Sequence, residues 1–492
     1  MVPGLRPTFV AAMILWTCSL SANAQSISEA VRKSAQANAL VQAGKSEQAL
    51  PIYKELVSAF PNEISFKLNL SIALYKAGRY RDAVAECELL SKQHPEMFPT
   101  WLFLGASYLK LGDFLGAEGP LRKAVSIQPN DPNARIMFAD ALLALQHWEE
   151  SAEQYELAAP KIPDNPRVWF GLGRSYEALV DRSLDLLGNA AQASALSCEL
   201  ELDRDQFALA YTDCRRALAL SPSFKNIHAI IAKIYEDTGH LDWAATEPAR
   251  DMTLTANCSP PSLACKFTAG LFQEVAATRA DSLDAIYWQG RAFLALSRQA
   301  YQHLKELPPS RESYEAEAVD NEKRGQYPQA AAAWKRALQF EPTDAQLQRQ
   351  LALALCHSND CVGAIPLLKE QIVHDPSSVE LNYLCGLALN STRNPEQAIP
   401  YLETAVKLDA TFLPAHAALG EAYFEAGKAE RAIAHLKAAS LEDPDGIRHY
   451  QLARAYQAAG MHDQSTAVLS EYRNIIKQRS SREHTEPAIT PP

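Results

Sequence analysis

Apolar and small residues recur along this chain at a spacing that predicts paired helices. The segments 101–108 and 169–176 share the pattern W-x-x-L-G-x-x-Y, which places Trp, Leu and Tyr on one face of a helix. After 101–108 the apolar pattern resumes at Phe114 and stops at Pro129, so a second helix is expected to follow the first. Small residues such as Gly105 are expected where helices approach most closely. One helix pair cannot bury its apolar faces alone, so neighbouring pairs must stack.

The recurring pattern resembles the tetratricopeptide repeat family, whose signature is W-x-x-L-G-x-x-Y followed by A-x-x-x-F and a late Pro. With Trp101 as the fourth residue of its unit, further units are expected at 30–63, 64–97, 132–165, 191–224, 225–258, 311–344, 345–378, 379–412, 413–445 and 446–479. The resemblance implies an all-α fold, a right-handed α-solenoid of helix pairs that break near Pro61, Pro95, Pro129, Pro163, Pro222, Pro342, Pro376 and Pro444.

Two short irregular units interrupt the predicted array. After Tyr176 and after Trp288 the expected second helix is reduced to the short stretches 181–190 and 298–307. The strongest loop signal inside the chain is 257–261, because two adjacent prolines there break any helix. These features predict a signal peptide at 1–24, an N-terminal array at 25–258, an irregular connector at 259–310, a C-terminal array at 311–479 and a disordered tail at 480–492.

The N-terminus has the features of a secretory signal peptide. Arg6 supplies the positive end, an apolar run extends over 9–20, and Ala22-Asn23-Ala24 fits the small-x-small cleavage rule. We therefore expect an exported protein, periplasmic or secreted, that begins at Gln25. A permanent membrane anchor is the alternative, but this run is shorter than the roughly 20 apolar residues that span a bilayer. Nor does the sequence contain another apolar stretch long enough to span a bilayer.

Charge and motifs exclude several function classes. The 492 residues carry a formal net charge of −11, so the sequence lacks the basic patch expected of a nucleic-acid-binding protein. It contains no H-E-x-x-H, G-x-S-x-G or phosphate-binding loop motif. We therefore predict a protein that is not an enzyme and needs no cofactor or metal.

Cysteines are the other candidate chemistry. The chain has nine, and Cys18 lies in the predicted signal peptide. In an oxidising compartment the remaining eight could form disulfides, and spacing makes Cys258 with Cys265, Cys356 with Cys361, and Cys198 with Cys214 the candidates. Free thiols are the first alternative. The second is a metal site at 356–361, but two thiolates and one His are incomplete for zinc. Two more cysteines, Cys87 and Cys385, occupy expected core positions and are predicted to be buried free thiols.

In the tetratricopeptide family the concave groove is lined by residues 2, 5, 9 and 12 of each first helix. The resemblance assigns to the N-terminal groove an unusually apolar set, namely Leu68, Ile72, Tyr75, Leu102, Leu109, Ile136 and Leu143, and to the C-terminal groove Tyr383, Leu387 and Phe424. Between them a more polar stretch includes Glu199. Long apolar patches mark binding sites, although a neighbouring segment of the chain could instead cover this one.

Two function hypotheses follow from these patterns. The first is an exported scaffold that binds protein or peptide partners in its grooves. The alternative is a structural or assembly subunit of an envelope or secretion complex, which isolation of the protein only within a complex would favour. The sequence names no partner for either.

Overall fold

A computed structural model describes residues 28–224, 227–247, 262–358, 360–483 and 489–490, and within these ranges every regular element is a helix. The predicted all-α array of tetratricopeptide-type helix pairs is confirmed. The chain divides into two compact units, Met1–Leu179 and Val180–Pro492. The predicted junction at 257–261 lies outside the described residues.

Helices of the first unit alternate as first and second members of successive pairs. They are α1 (28–42), α2 (Ser46–Ala59), α3 (Ile64–Lys76), α4 (Tyr80–Gln93), α5 (Phe98–Lys110), α6 (Phe114–Ile127), α7 (Pro132–Ala144) and α8 (Trp148–Ala158), the last continued by a 3₁₀ turn at Ala159–Lys161. Helix α9 (Pro166–Leu187) begins in the first unit and ends in the second.

The second unit repeats the same alternation. Its helices are α10 (Ala191–Asp203), α11 (Phe207–Leu220), α12 (Ile227–Asp237), α13 (Leu241–Thr246), α14 (Leu263–Thr268), α15 (Phe272–Ala276), α16 (Leu283–Glu306), α17 (Arg311–Lys323), α18 (Tyr327–Ala337), α19 (Ala345–His357), α20 (Cys361–His374), α21 (Val379–Ser391), α22 (Pro395–Leu408), α23 (Leu413–Glu425), α24 (Ala429–Ala439), α25 (Ile447–Ala458) and α26 (His462–Glu483). All eight prolines predicted to separate helix pairs lie between helices.

The turn inside each pair depends on one residue in the left-handed region. In the first unit these residues are 34 apart: φ is 72° at Gly44, 76° at Gly78 and 74° at Gly112, and Gln146 adopts 63°. Glycine reaches this conformation without a steric penalty. The regular spacing gives every pair the same tight reversal.

A second recurring interaction joins several of the pairs to the pair before them. The fourth residue of the unit donates a side-chain N–H to the backbone carbonyl six residues earlier. Trp101 Nε1 lies 2.9 Å from Pro95 O, Arg135 Nε 2.8 Å from Pro129 O, Trp169 Nε1 2.6 Å from Pro163 O, Gln348 Nε2 3.0 Å from Pro342 O and Asn382 Nδ2 3.1 Å from Pro376 O. The contact supplies a donor to a turn carbonyl, as backbone groups require.

His416 takes the same place in its own unit, with Nε2 lying 3.2 Å from Ala410 O. Its other ring nitrogen, Nδ1, lies 3.0 Å from Nδ1 of His435. Because a carbonyl can only accept, Nε2 of His416 carries the hydrogen and donates it to the hydrogen bond with Ala410 O. In this neutral tautomer Nδ1 of His416 is an acceptor, and Nδ1 of His435 is the donor. Burial lowers the pKa of His435, and the facing His416 lowers it further.

Tyrosines near the end of first helices add a contact between neighbouring units. Tyr108 donates to Glu88 over 2.6 Å, and Tyr176 and Tyr423 donate in the same way to the glutamates 20 residues earlier, Glu156 and Glu403. The hydrogen bond to Glu88, with burial, raises the pKa of Tyr108 to about 12. Each contact joins a first helix to the preceding second helix.

The two irregular units differ from their predicted form. Instead of a short second helix, α9 continues without a break to Leu187 and α16 to Glu306. The sequence explains this, because neither helix contains proline after its first turn and the first residue with positive φ after Tyr176 is Gly188. Gly290 of α16 lies against α9, where a Cβ would be 3.1 Å from Ser183 Cβ. A long first helix therefore replaces each predicted helix pair.

The C-terminal segment also differs from the predicted disordered tail at 480–492. Helix α26 extends to Glu483, and residues 489–490 contact the second unit: Ile489 packs against its apolar core and Thr490 O accepts from Tyr235. Composition alone predicted disorder, because the composition of a segment does not show which distant residues it contacts.

Close contacts at glycines test the packing of the pairs. A Cβ added to Gly105 would overlap the side chain of Leu121 on the partner helix. We expect Gly105→Ala to lower the free energy of unfolding of the first unit by about 1–3 kcal/mol, the cost of overpacking. Circular dichroism during urea unfolding measures it.

Leu121→Ala provides the control for this prediction. It makes room at the same contact, so Gly105→Ala should cost far less in that background, a non-additivity expected of residues in contact. Equal costs in both backgrounds would show that the two residues do not meet.

Candidate functional site

The predicted N-terminal groove lies on three successive first helices, α3, α5 and α7, of which α3 contacts α5 and α5 contacts α7. Leu68, Ile72 and Tyr75 lie on α3, and Leu102 and Leu109 on α5. All five side chains are half-buried. Neighbouring first helices therefore present a continuous row of partly accessible apolar groups.

The floor of this row is the apolar core itself. The ring of Tyr75 packs edge-on against Phe103 with centroids 5.4 Å apart. Leu102 and Leu109 pack against a buried cluster that includes Leu121 and Phe138. Side chains fixed in this way are preorganised, so a ligand would order few of them on binding.

Two other predicted groove residues lie on α7. Leu143 is half-buried like the others. Ile136 is only 3% exposed, so its assignment to the groove is wrong and it belongs to the core. Repeat phase placed it correctly on the helix but could not show how far the neighbouring helix covers it.

The predicted C-terminal groove residues are also half-buried. The ring of Tyr383 on α21 packs perpendicular to Phe412, with centroids 5.2 Å apart, and burial raises the pKa of Tyr383. Leu387 follows one turn later on the same helix. Phe424 on α23 carries the Arg454 guanidinium over its ring at 4.8 Å. This groove therefore combines apolar rings with a cation.

A small cavity of about 60 Å³ adjoins Phe424 and Arg454. Glu421 lines it, and burial raises the pKa of this carboxyl, with Glu425 acting in the same direction and Arg454 opposing. The cavity has room for one or two water molecules or the tip of a side chain.

A larger concavity lies at the N-terminal end of the described chain and was missed from the sequence. Its volume is about 660 Å³, within the range of ligand pockets. Residues of α1 form one wall and residues at the start of α3 the other; the lining is Ala30, Val31, Ser34, Ala35, Asn38, Phe60, Glu63, Ser65 and Phe66. Val31 is 62% exposed on its rim. The available signal was repeat phase, because Val31, Ser34 and Asn38 are residues 2, 5 and 9 of the expected unit 30–63, positions that line the groove in this family.

Glu199 belongs to the core rather than to a polar groove surface, where the sequence had placed it. It is 9% exposed, its carboxylate lies 2.8 Å from Arg291 Nε, and Tyr287 donates to it over 3.2 Å. The Arg291 guanidinium also lies over the rings of Phe267, at 4.5 Å, and Trp288, at 4.8 Å. This cluster joins α10 to α16. The charges of Glu199 and Arg291 neutralise each other within it, so neither is presented to a ligand.

The cysteines follow the predictions in part. Cys198 and Cys214 form a disulfide in the structure, with Cα atoms 5.2 Å apart, and Cys87 and Cys385 are buried free thiols as predicted. The predicted disulfide between Cys356 and Cys361 is wrong, since both are free thiols.

These two thiols are neighbours that are not bonded to each other. The Cys361 thiol lies 3.9 Å from the backbone carbonyl of Cys356, and burial, with the nearby Cys361 thiol acting in the same direction, raises the pKa of Cys356 to about 12. Cys265 takes part in a disulfide, but its predicted partner Cys258 lies outside the described residues, so that pairing stays a prediction. Among described residues no group of three or more His, Cys, Asp or Glu could hold a metal ion.

Membrane and export predictions rest on the N-terminus. Within the ranges that the structure describes, no helix combines the length and apolar character needed to cross a membrane. The predicted signal peptide at 1–24 lies outside the described residues.

Comparison with known proteins supports the repeat assignment. The tetratricopeptide repeat family matches residues 40–101, 108–172 and 389–451. The chain is 27% identical to superkiller complex protein 3 of Homo sapiens over 167 residues, which is 32% of this chain and 10% of that protein. It is 30% identical to the Hsp70-Hsp90 organizing protein of Triticum aestivum over 107 residues, 22% of this chain and 18% of that protein.

The chain spans less than a fifth of the length of each of the three relatives that it matches by sequence. The third match, 24% identical over 134 residues, is to the protein O-mannosyl-transferase TMTC1 of Homo sapiens and covers 26% of this chain and 15% of that protein. Among solved structures, MamA from Desulfovibrio magneticus is similar at 20% identity and a TM-score of 0.32, covering 34% of this chain and 96% of that one. The matched segments of this chain are tetratricopeptide repeats, and its described residues form an all-α array of such helix pairs.

Proposed function

We propose that this chain is an exported scaffold that binds protein or peptide partners along its first-helix grooves. The observation that supports this most is the row of half-buried apolar side chains on α3 and α5, Leu68, Ile72, Tyr75, Leu102 and Leu109. Water contact at these groups is unfavourable, and burying them under a ligand gains about 25 cal/mol per Å² of apolar surface. We assign the chain no catalytic role.

The arrangement of this row favours an elongated ligand. Because the five side chains lie on adjacent first helices, one amphipathic segment crossing both helices could contact all of them, as in helix-in-groove recognition. Lys76 is exposed at the C-terminal end of α3, and it would favour an acidic residue on the ligand's polar side.

Replacing two groove residues tests this site. Ile72→Asp with Leu102→Asp places charge where an apolar ligand would lie. Truncating a central anchor of an interface commonly costs about 2 kcal/mol, roughly thirty-fold in affinity. We expect the double variant to lose its partners in a quantitative pull-down from the exporting organism, while circular dichroism shows unchanged helix content.

Leu89→Asp with Leu115→Asp is the matched control. Leu89 and Leu115 lie on the second helices α4 and α6 and are 48% and 75% exposed, so this double substitution adds the same charge at apolar surface positions outside the groove. Partners should still be captured. Recovery of the same proteins by the groove variant as by this control would rule out the N-terminal groove as the binding surface.

Export has its own test. We expect the protein recovered from the envelope or the medium to begin at Gln25, which N-terminal sequencing or intact mass would show. Ala24→Asp removes the small residue before the cut and should leave uncleaved precursor. A mature protein that retains Met1 would contradict the proposed export.

The redox state of the disulfide between Cys198 and Cys214 is a second test of export. We expect Cys198 and Cys214 to be oxidised in exported protein and reduced when the chain is produced in the cytoplasm without residues 1–24. Peptide mapping after alkylation without reduction distinguishes the states. Full alkylation of both thiols in exported protein would remove this support.

A further inference from the structure

The second unit contains a site that its own C-terminal segment occupies. Tyr235 on α12 donates its hydroxyl to the backbone carbonyl of Thr490 over 2.7 Å. Tyr211 on α11 lies 3.0 Å from the same carbonyl and 3.0 Å from Thr490 Oγ1. The two tyrosine hydroxyls are 3.3 Å apart. Two side chains from adjacent helices therefore converge on one peptide group.

The side chain before this peptide group has an apolar contact of its own. Ile489 is half-buried and packs against the core cluster that contains Tyr211, Tyr235 and Trp288. Trp243 packs edge-on against the Tyr235 ring, with centroids 5.5 Å apart. We call this region, formed by Tyr211, Tyr235 and the adjoining core, the tyrosine recess. It combines an apolar wall with two hydroxyl groups, and so receives both a side chain and a backbone carbonyl.

The tyrosine recess is a departure from the repeat pattern. Tyr235 occupies the repeat position of Tyr108, Tyr176 and Tyr423, each of which donates to a glutamate 20 residues earlier. Twenty residues before Tyr235 stands Arg215, which has no acceptor. The hydroxyl of Tyr235 thus donates to the C-terminal segment instead of to a carboxylate on the preceding helix.

Tyr211 also departs from the repeat pattern. The residues at its repeat position in the units 132–165 and 379–412 are Ala152 and Ile399, which have no hydroxyl. Tyr211 and Tyr235 are only 1% and 0% exposed. Buried hydroxyls that lack an acceptor are costly, so the two phenols and the Thr490 carbonyl satisfy one another.

We propose that the tyrosine recess is a peptide-binding site for a branched apolar residue followed by a residue whose carbonyl accepts the two hydroxyls. The chain's own Ile489 and Thr490 are its resident occupant and hold it closed. This inference deepens the proposed scaffold function and rests on it for one point only: a partner peptide of this chemistry must displace the resident segment. Occupation by residues 489–490 itself does not depend on that function.

A labelled peptide tests the site in the full-length chain. The probe is a fluorescent peptide of residues 485–492, TEPAITPP, followed by anisotropy. Ile489→Asp in the protein should expel the resident segment and open the recess. Because the apparent affinity for the probe equals the intrinsic affinity multiplied by the fraction of open sites, we expect the probe to bind this variant at least about tenfold more tightly than the unmodified chain.

The hydroxyls are tested in the opened background. Tyr235→Phe added to Ile489→Asp should weaken probe binding by about five- to tenfold, the effect of one hydrogen bond. Tyr423→Phe added to Ile489→Asp is the matched control, since Tyr423 occupies the same repeat position but donates to Glu403. It should leave binding unchanged.

Hydrogen exchange gives a readout that needs no ligand. Ile489→Asp alone should speed amide exchange in α11 and α12 relative to the unmodified chain, whereas exchange in α23 and α24 should not change. Faster exchange at α11 and α12 supports the resident segment. Identical exchange profiles, or a probe that binds both chains equally and ignores Tyr235→Phe, would overturn the proposal.

The outcomes also separate this inference from the proposed function. A probe that fails to bind while Ile72→Asp with Leu102→Asp still abolishes partner capture would reject the tyrosine recess alone. A probe that binds as expected, with partner capture indifferent to those two substitutions, would support the recess and reject the N-terminal groove.

Discussion

The array depends on a hydrogen bond between consecutive helix pairs that returns at the fourth residue of six units. A side-chain N–H there satisfies the turn carbonyl six residues earlier, and the donor is tryptophan in Trp101, arginine in Arg135 and a primary amide in Gln348 and Asn382. What recurs is the donor and its reach, not the residue. This bond fixes where each first helix begins relative to the preceding turn, and so places the groove positions of α3 and α5 side by side.

Most of the fold was predictable because its determinants are local. Prolines that end second helices, residues at the tight turn and small residues at close contacts all act within one unit. The exceptions have a physical cause as well. The stretch after Tyr176 contains no glycine or proline before Gly188, and the stretch after Trp288 contains no proline before Pro308. Helices α9 and α16 therefore continue where the repeat pattern predicted a turn and a short helix.

The sites were less predictable because they depend on distant residues. Repeat phase placed Leu102 and Phe424 on the correct helices, but Ile136, on the same pattern, is core. The sequence placed Glu199 on the surface because its partner Arg291, which neutralises it in the core, lies 92 residues later in the chain. The tyrosine recess joins residues 255 positions apart. The replacement of glutamate by Arg215 was visible in the sequence, although its meaning required knowing that tyrosines at this position donate to the preceding helix.

One of the joints between units is sensitive to acid. His416 donates from Nε2 to the Ala410 carbonyl and accepts from His435 through Nδ1, so a proton taken up by His435 places a positive charge in a partly buried position beside a second imidazole. The pKa of His435 is lowered in the folded chain, with Glu403 opposing, so the unfolded chain binds protons more readily. The stability from this pair is therefore complete above the ordinary histidine pKa of about 6.5 and declines as the pH falls through the lower folded value. The indole of Trp101 and the amide of Asn382 do not titrate, so an acidifying compartment would loosen this array at its titratable joints, such as this one, rather than along its length.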